Sequence, residues 1–317
     1  MAVARWSEPG DVQTVRLNVI AFPGASNWPL WAGQRHGFFA AQGLEMSLSI
    51  TPNSVHMVRE LHAGGAHVAL TSMDNVVAYG CGEGEVSLGE PADFFAFMSV
   101  DGGLLSLMTQ PQHDVVSCLR GQTLAVDALT TGYALVLKEI LAHYGLGDSD
   151  VRYVSVGTGA ERFAELKEGR CAATLLNAPL CLAAESVGKI RLVRASAVLG
   201  PYQGVVAAAR RSWARDNNAV VHAFIRGYDA SLSWLSDPAN ADEARSLLVE
   251  RLPSLRAVAD GAYRVLITEQ GLDRTLRLRP QAVSAVIRLR ERHGSRGQTP
   301  GLAEDYIEDR YWRAVFC

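Results

Sequence analysis

The sequence predicts an α/β protein of two lobes, each a mostly parallel sheet flanked by helices, with a hinge, an inter-lobe cleft and a helical C-terminal part. Three observations carry this. Short apolar runs alternate with longer helical patterns over the first two thirds of the chain, the alternation then stops, and the two preceding stretches nearly repeat at an offset of 105 positions. Strands alternating with helices argue for largely parallel sheets, and self-similarity at a fixed spacing argues for two copies of one unit.

Taken in order, the apolar runs predict strands over 15–22, 46–50, 67–71, 94–99, 123–127, 151–156, 171–176, 190–195 and 204–209. After about Trp213 the pattern becomes purely helical. Val221, Phe224, Ile225, Tyr228, Leu232 and Leu235 recur at steps of three and four, a stripe that should lie on one lobe. Asp237-Pro238 should end that helix, because proline disfavours helical backbone at the residue before it.

In the repeat, Met46 to Gly64 aligns with Val151 to Gly169 without a gap, sharing Glu60-Leu61-x-x-Gly64 with Glu165-Leu166-x-x-Gly169. At the same offset Val19 to Trp28 aligns with Leu124 to Tyr133, and His67 to Ser72 with Ala172 to Asn177. Each half then reads strand–helix–strand–helix–strand, and its loops fall at the carboxyl ends of parallel strands, where open α/β sheets bind ligands.

Three pairs of loops follow. Ser26, Asn27 and Trp28 correspond to Thr131, Gly132 and Tyr133, with Thr130 beside them; Asn53 and Ser54 correspond to Thr158 and Gly159; Thr71, Ser72, Asp74 and Asn75 correspond to the segment holding Asn177. Trp28 and Tyr133 would sandwich a flat or apolar group. The helix starts beside them would aim N–H groups inward, favouring an anionic or acceptor-rich ligand. Arg162 would fork onto a carboxylate or sulfonate, or instead pair with Glu165 in solvent. Asp74 and Asp101 add negative charge to the same cleft and would repel a bare anion. Tyr202, at the return to the first lobe, completes the ligand-binding set. Together these tips suit a small ligand with both donors and acceptors.

Composition narrows the classes. At 317 residues and 48% hydrophobic the chain can bury two ordinary cores. A formal charge of −3 leaves no basic excess for nucleic acid or an anionic bilayer. The arginines between Arg274 and Arg296 read as a solvated helix face. Five scattered cysteines form no C-x-x-C pair, and no histidine, cysteine or carboxylate cluster has metal spacing, so no cofactor and no metal are expected. Met1 to Gln13 contains no apolar h-region; either the protein is cytoplasmic or its export signal was removed and it is periplasmic. No stretch reaches the ~18 apolar residues of a membrane span, so no direct membrane insertion is expected.

Trp28-Pro-Leu-Trp-Ala-Gly-Gln-Arg-His36-Gly37-Phe38-Phe39-Ala-Ala-Gln-Gly43-Leu44, then Val58-x-x-Leu61-x-x-Gly64 and Leu119-Arg120-Gly121-Gln-Thr-Leu-Ala-Val126, resemble type II solute-binding proteins. The nearest branch holds the sulfonate-, nitrate- and taurine-binding and thiamine-pyrimidine-type members. The similarity runs from about Val15 to Asp237 and is specific to the fold more than to a ligand. It implies lobe I over 1–100 plus 206–317 and lobe II over 101–205. It also implies a small-molecule ligand, an ABC importer permease as partner and a monomer. One departure is His67, where the family carries a structural acid.

The competing reading is an enzyme on the same scaffold, a decarboxylase, a dehydratase or a pyrimidine-biosynthesis-like enzyme using Asp74 or Asp101. Related folds include a pyrimidine-phosphate synthase whose reactive lysine and histidine fall on Thr71 and Asn75 here, and whose cysteine-rich loop falls near Leu199 to Gln203, so those reactive groups are absent. A sensing module without transport would use the same cleft.

Overall fold

The computed structural model describes residues 14–294 and 300–317; the expectations that concern 1–13 and Arg296 lie outside them. Ten strands form two five-stranded sheets. They are β1 (Val15–Ala21), β2 (Leu44–Ile50), β3 (Val68–Ser72), β4 (Phe94–Ser99), β5 (Leu105–Thr109), β6 (Thr123–Val126), β7 (Arg152–Ser155), β8 (Ala173–Asn177), β9 (Ile190–Arg194) and β10 (Val205–Arg210). The orders are β2-β1-β3-β10-β4 and β7-β6-β8-β5-β9. In each sheet one strand, β10 or β5, runs against its two neighbours, and the other four share a direction.

The offset of 105 is kept in the hydrogen-bonded register. Val19 pairs with Leu48 and Val68, and Leu124, 105 positions on, pairs with Tyr153 and Ala173. Two crossings, 100–104 and 195–204, carry the chain between the sheets, and each sheet takes its reversed strand from just beyond a crossing. One strand is absent from the sequence reading: β5, Leu-Ser-Leu-Met-Thr, is fully buried between β8 and β9. Its leucines and methionine are not strand-favouring residues, and only its central place in the sheet makes it extended.

In the first half α1 (Trp28–Arg35), α2 (Ser54–Ala63) and α3 (Met73–Gly80) follow β1, β2 and β3. In the second, α4 (Gly132–His143), α5 (Gly159–Lys167) and α6 (Leu180–Ser186) follow β6, β7 and β8. On the return crossing lies α7 (Ala195–Leu199). The rest is helical: α8 (Arg211–Asp216), α9 (Asn218–Ser236), α10 (Ala241–Arg251), α11 (Ala259–Tyr263), α12 (Pro280–His293), α13 (Ala303–Tyr306) and α14 (Arg310–Phe316). The stripe from Val221 to Leu235 is buried along α9 against α1, β2 and α14, and the helix stops at Ser236 with Asp237 extended. No helix among the described residues is long and apolar enough to cross a membrane.

The C-terminal helices do more than cover one sheet. Helix α12 touches both α3 and α4, and the turn at 253–258 touches α6, so the segment bridges the two halves on two sides. One expectation is corrected here. Arg290, read as part of a solvated face, is only 4% exposed and lies at the junction of α12 with α3 and α4. His67 is structural: Nδ1 accepts the Asn18 backbone N–H at 3.1 Å, and the ring stacks on Trp213. Burial and then Arg210 lower its pKa.

Candidate functional site

Each loop pair begins where a strand delivers its last residue and a helix must start with four unpaired N–H groups. Short polar side chains answer that need at four places. Asn53 Oδ1 accepts from His56 N, Ser72 Oγ from Asn75 N, Thr131 Oγ1 from Ala134 N and Thr158 Oγ1 from Glu161 N. These residues are thereby held at strand ends, facing the other sheet.

Between the sheets lies a cavity of about 230 Å³. Its wall takes Phe22, Pro23 and Ser26 from one half and Asp127, Ala128 and Thr131, their partners at an offset of 105, from the other. Asn53 and Ser54 meet Thr158 and Gly159 in the same way, and Ser72 and Asn75 meet Asn177 and Leu180. The cavity therefore assembles equivalent loops of the two repeats face to face. Of the residues selected from sequence, Ser26, Asn53, Ser54, Ser72, Asn75, Thr131, Gly132, Tyr133, Thr158, Arg162 and Asn177 line it.

Seven others do not. Asn27 is buried beneath its loop, with Nδ2 donating to Phe22 O at 2.7 Å. Thr71 Oγ1 accepts from Asn75 Nδ2 at 2.9 Å and so positions a lining residue without being one. Thr130 is exposed and offers its carbonyl to Arg290. Asp74 is 1% exposed and paired with Arg290. Asp101 Oδ1 accepts from Gly103 N and Val205 N, tying the two crossings together. Tyr202 is buried against Gly103 at the same hinge.

Trp28 overturns the aromatic sandwich. It is 0% exposed, its Nε1 donates to Ala244 O at 3.2 Å, and its ring meets Tyr263 edge-on at 6.1 Å. Helices α10 and α11 lie behind the first half and draw the indole into that core. Tyr133, the equivalent residue, stays in the cavity wall, and the Arg162 guanidinium sits 5.7 Å over its ring. Burial, followed by the carboxylates of Asp101 and Asp127, pushes its hydroxyl well above the usual tyrosine range, with Arg162 opposing.

Arg162 does not pair with Glu165, which Arg170 engages instead. Two of its five N–H groups are engaged by backbone: Nη1 donates to Gly157 O and Nε to Leu175 O at 3.3 Å. At the N-cap of α5, Glu161 Oε2 accepts from both Thr158 N at 2.7 Å and Thr158 Oγ1 at 2.8 Å.

Two charged lining residues escaped the sequence reading. Asp127 ends its strand as the counterpart of Phe22, and Thr131 Oγ1 donates to its Oδ1 at 2.6 Å. Burial raises the Asp127 carboxyl, with Arg162 and the Thr131 bond opposing. The strand-end rule already pointed to this position. Glu85, which accepts from Ser54 Oγ at 2.9 Å, follows α3 in a stretch with no useful repeat partner, so no pattern marked it.

Gly132 shows how closely the halves approach. A Cβ there would lie 2.5 Å from Asp74 Cβ, so only glycine lets the starts of α3 and α4 meet. No group of histidines, cysteines and carboxylates suited to a metal occurs among the described residues.

Residues 9–249 match the NMT1-like family, about three quarters of the chain. The chain belongs to the NMT1-like family. Among solved structures, this NMT1-like protein is similar to the ligand-binding component of an ABC-type import system from Staphylococcus aureus with zinc bound, at 15% identity and TM-score 0.75, covering 95% of this chain and 98% of that one. It is similar to the alkanesulfonate-binding protein SsuA of Xanthomonas axonopodis pv. citri bound to MOPS, at 14% identity and TM-score 0.73, covering 92% and 98%. It is also similar to the periplasmic nitrate-binding protein NrtA of Synechocystis, at 12% identity and TM-score 0.75, covering 95% and 88%. At these identities the likeness establishes the fold, the periplasmic-binding-protein fold. No curated protein sequence matches this one.

Proposed function

We propose that this NMT1-like protein is the solute-binding component of an ABC-type importer, holding a small organic molecule between two closing lobes. The observation that supports this reading best is the enclosure of one cavity by equivalent loops of both repeats, joined through two crossings that can flex as a hinge. On this reading lobe I comprises 1–100 plus 206–317 and lobe II comprises 101–205. Closure buries the ligand and changes the outer surface, which a permease reads. The protein acts as a monomer, and it acts outside the cytoplasm; the nitrate-binding relative is periplasmic. Tyr133 supplies an aromatic wall, and Ser26, Asn53, Ser72, Asn75, Thr158 and Asn177 supply donors and acceptors. The test is native mass spectrometry of the purified protein, followed by a thermal-shift screen of small organic molecules. A small molecule retained at one per chain, or a saturable stabilisation lost in Tyr133→Ala, is expected. A chain that retains nothing and answers to nothing would remove the proposal.

A further inference from the structure

We infer that the cavity selects a small organic cation, a nitrogen base with an apolar body, and that Asp127 is its anchor. This rests on the binding role proposed above and narrows its ligand class. The charge of the wall decides it. Two carboxylates line the cavity, Asp127 and Glu85, and among the described residues neither forms an ion pair with a protein cation. The guanidinium of Arg162 is the cation of the wall; Nε and Nη1 each bond a backbone carbonyl, of Leu175 and Gly157, and its face lies over Tyr133, so the wall sets one cation against two carboxylates.

At the start of α5 the positive end of the helix already faces a carboxylate, that of Glu161 on Thr158 N and Oγ1. An oxyanion entering the cavity would meet an excess of one negative charge, which opposes its transfer from water. A cation meets the reverse. Asp127 is half-buried in the wall and accepts a hydroxyl hydrogen bond from Thr131, which leaves acceptor capacity for N–H groups of a ligand. The cost of burying that carboxylate, visible in its raised pKa, is then offset when a cation binds. Apolar lining from Phe22, Leu70, Leu180 and Tyr133 suits the body of such a molecule.

Three probes of one shape test this on the ligand-free full chain at pH 7.5: benzamidine, neutral benzamide and anionic benzoate, by calorimetry and thermal shift. Benzamidine should bind at least tenfold more tightly than benzamide, benzoate should not bind, and Asp127→Asn should cost benzamidine at least tenfold while leaving far-UV dichroism unchanged. Glu85→Gln should cost a smaller factor. Benzoate binding as well as benzamidine, or no binding by benzamidine at all, overturns the inference whether or not the Asp127 variant folds. Benzoate binding that Tyr133→Ala abolishes would overturn only the charge assignment and leave the solute-binding role standing.

Discussion

Arg290 and Asp74, 216 positions apart, form an ion pair that bridges three elements. Nη2 donates to Asp74 Oδ2 at 2.7 Å and Nε lies 2.7 Å from Oδ1, with side-chain exposures of 3% and 1%. The same Nη2 reaches Thr130 O at 3.3 Å, and Glu83 stands 3.9 Å from Nη1. Asp74 belongs to α3, Thr130 precedes α4 and Arg290 sits on α12. The C-terminal helix is thus pinned where the two halves touch, one residue from the cavity wall at Thr131. Although burial opposes its charge, Asp74 chiefly holds the Arg290 guanidinium above its usual range.

Removing one member of a buried pair leaves the other uncompensated, which typically costs roughly 3–5 kcal/mol, while replacing both can be nearly neutral. Arg290→Met should therefore be strongly destabilised, and the Arg290→Met, Asp74→Leu double variant should regain a large part of the loss. Urea unfolding of the three proteins measures this. A single variant within about 1 kcal/mol of the parent would mean the pair is not the pin described above.

Trp28 and Tyr133 are equivalent in the repeat but not in role, and substitution should separate them. Trp28→Ala empties a fully buried site and should cost about 3–5 kcal/mol of stability. Tyr133→Ala should leave most of the stability and abolish stabilisation by a retained ligand. Thermal melts of each variant, with and without ligand, distinguish the two. Equal stability losses with ligand response intact in both would show that neither ring faces a ligand.

Asp101 gives a pH dependence with a definite sign. Burial above all raises its carboxyl from 3.8 to about 6, with the Gly103 and Val205 N–H bonds opposing. Asp273 raises it slightly, and Tyr133, Tyr202 and Tyr228 are the other titratable groups sensitive to its charge. Because the folded value exceeds the unfolded one, the native state binds this proton more tightly. Its contribution is fully present below about pH 4 and is lost as pH rises through about 6. Relative to Asp101→Asn, the parent should lose about 2–3 kcal/mol between pH 4 and pH 8. Melts across that range read the difference, and a constant gap between the two proteins would contradict it.

Much of the site was legible because a repeat places residues without needing contacts. Ser26 with Thr131, Asn53 with Thr158 and Ser72 with Asn177 could be paired on paper, and each pair shares the cavity wall. Strand β5 was not legible, since its Leu-Ser-Leu-Met-Thr has no strand signature of its own. Nor was Glu85, whose stretch is not repeated usefully.

The amino-acid order alone determined the alternation of strand and helix, the offset of 105 and the polar caps at the loops, because these depend on local backbone chemistry and on side-chain periodicity. Only the tertiary structure decided which member of each equivalent pair faces the ligand space. A helical layer behind the first half pulls Trp28 inward, the buried pair with Arg290 withdraws Asp74, and the hinge claims Asp101. Those outcomes rest on what packs against each residue from more than a hundred positions away, and no local pattern carries that information.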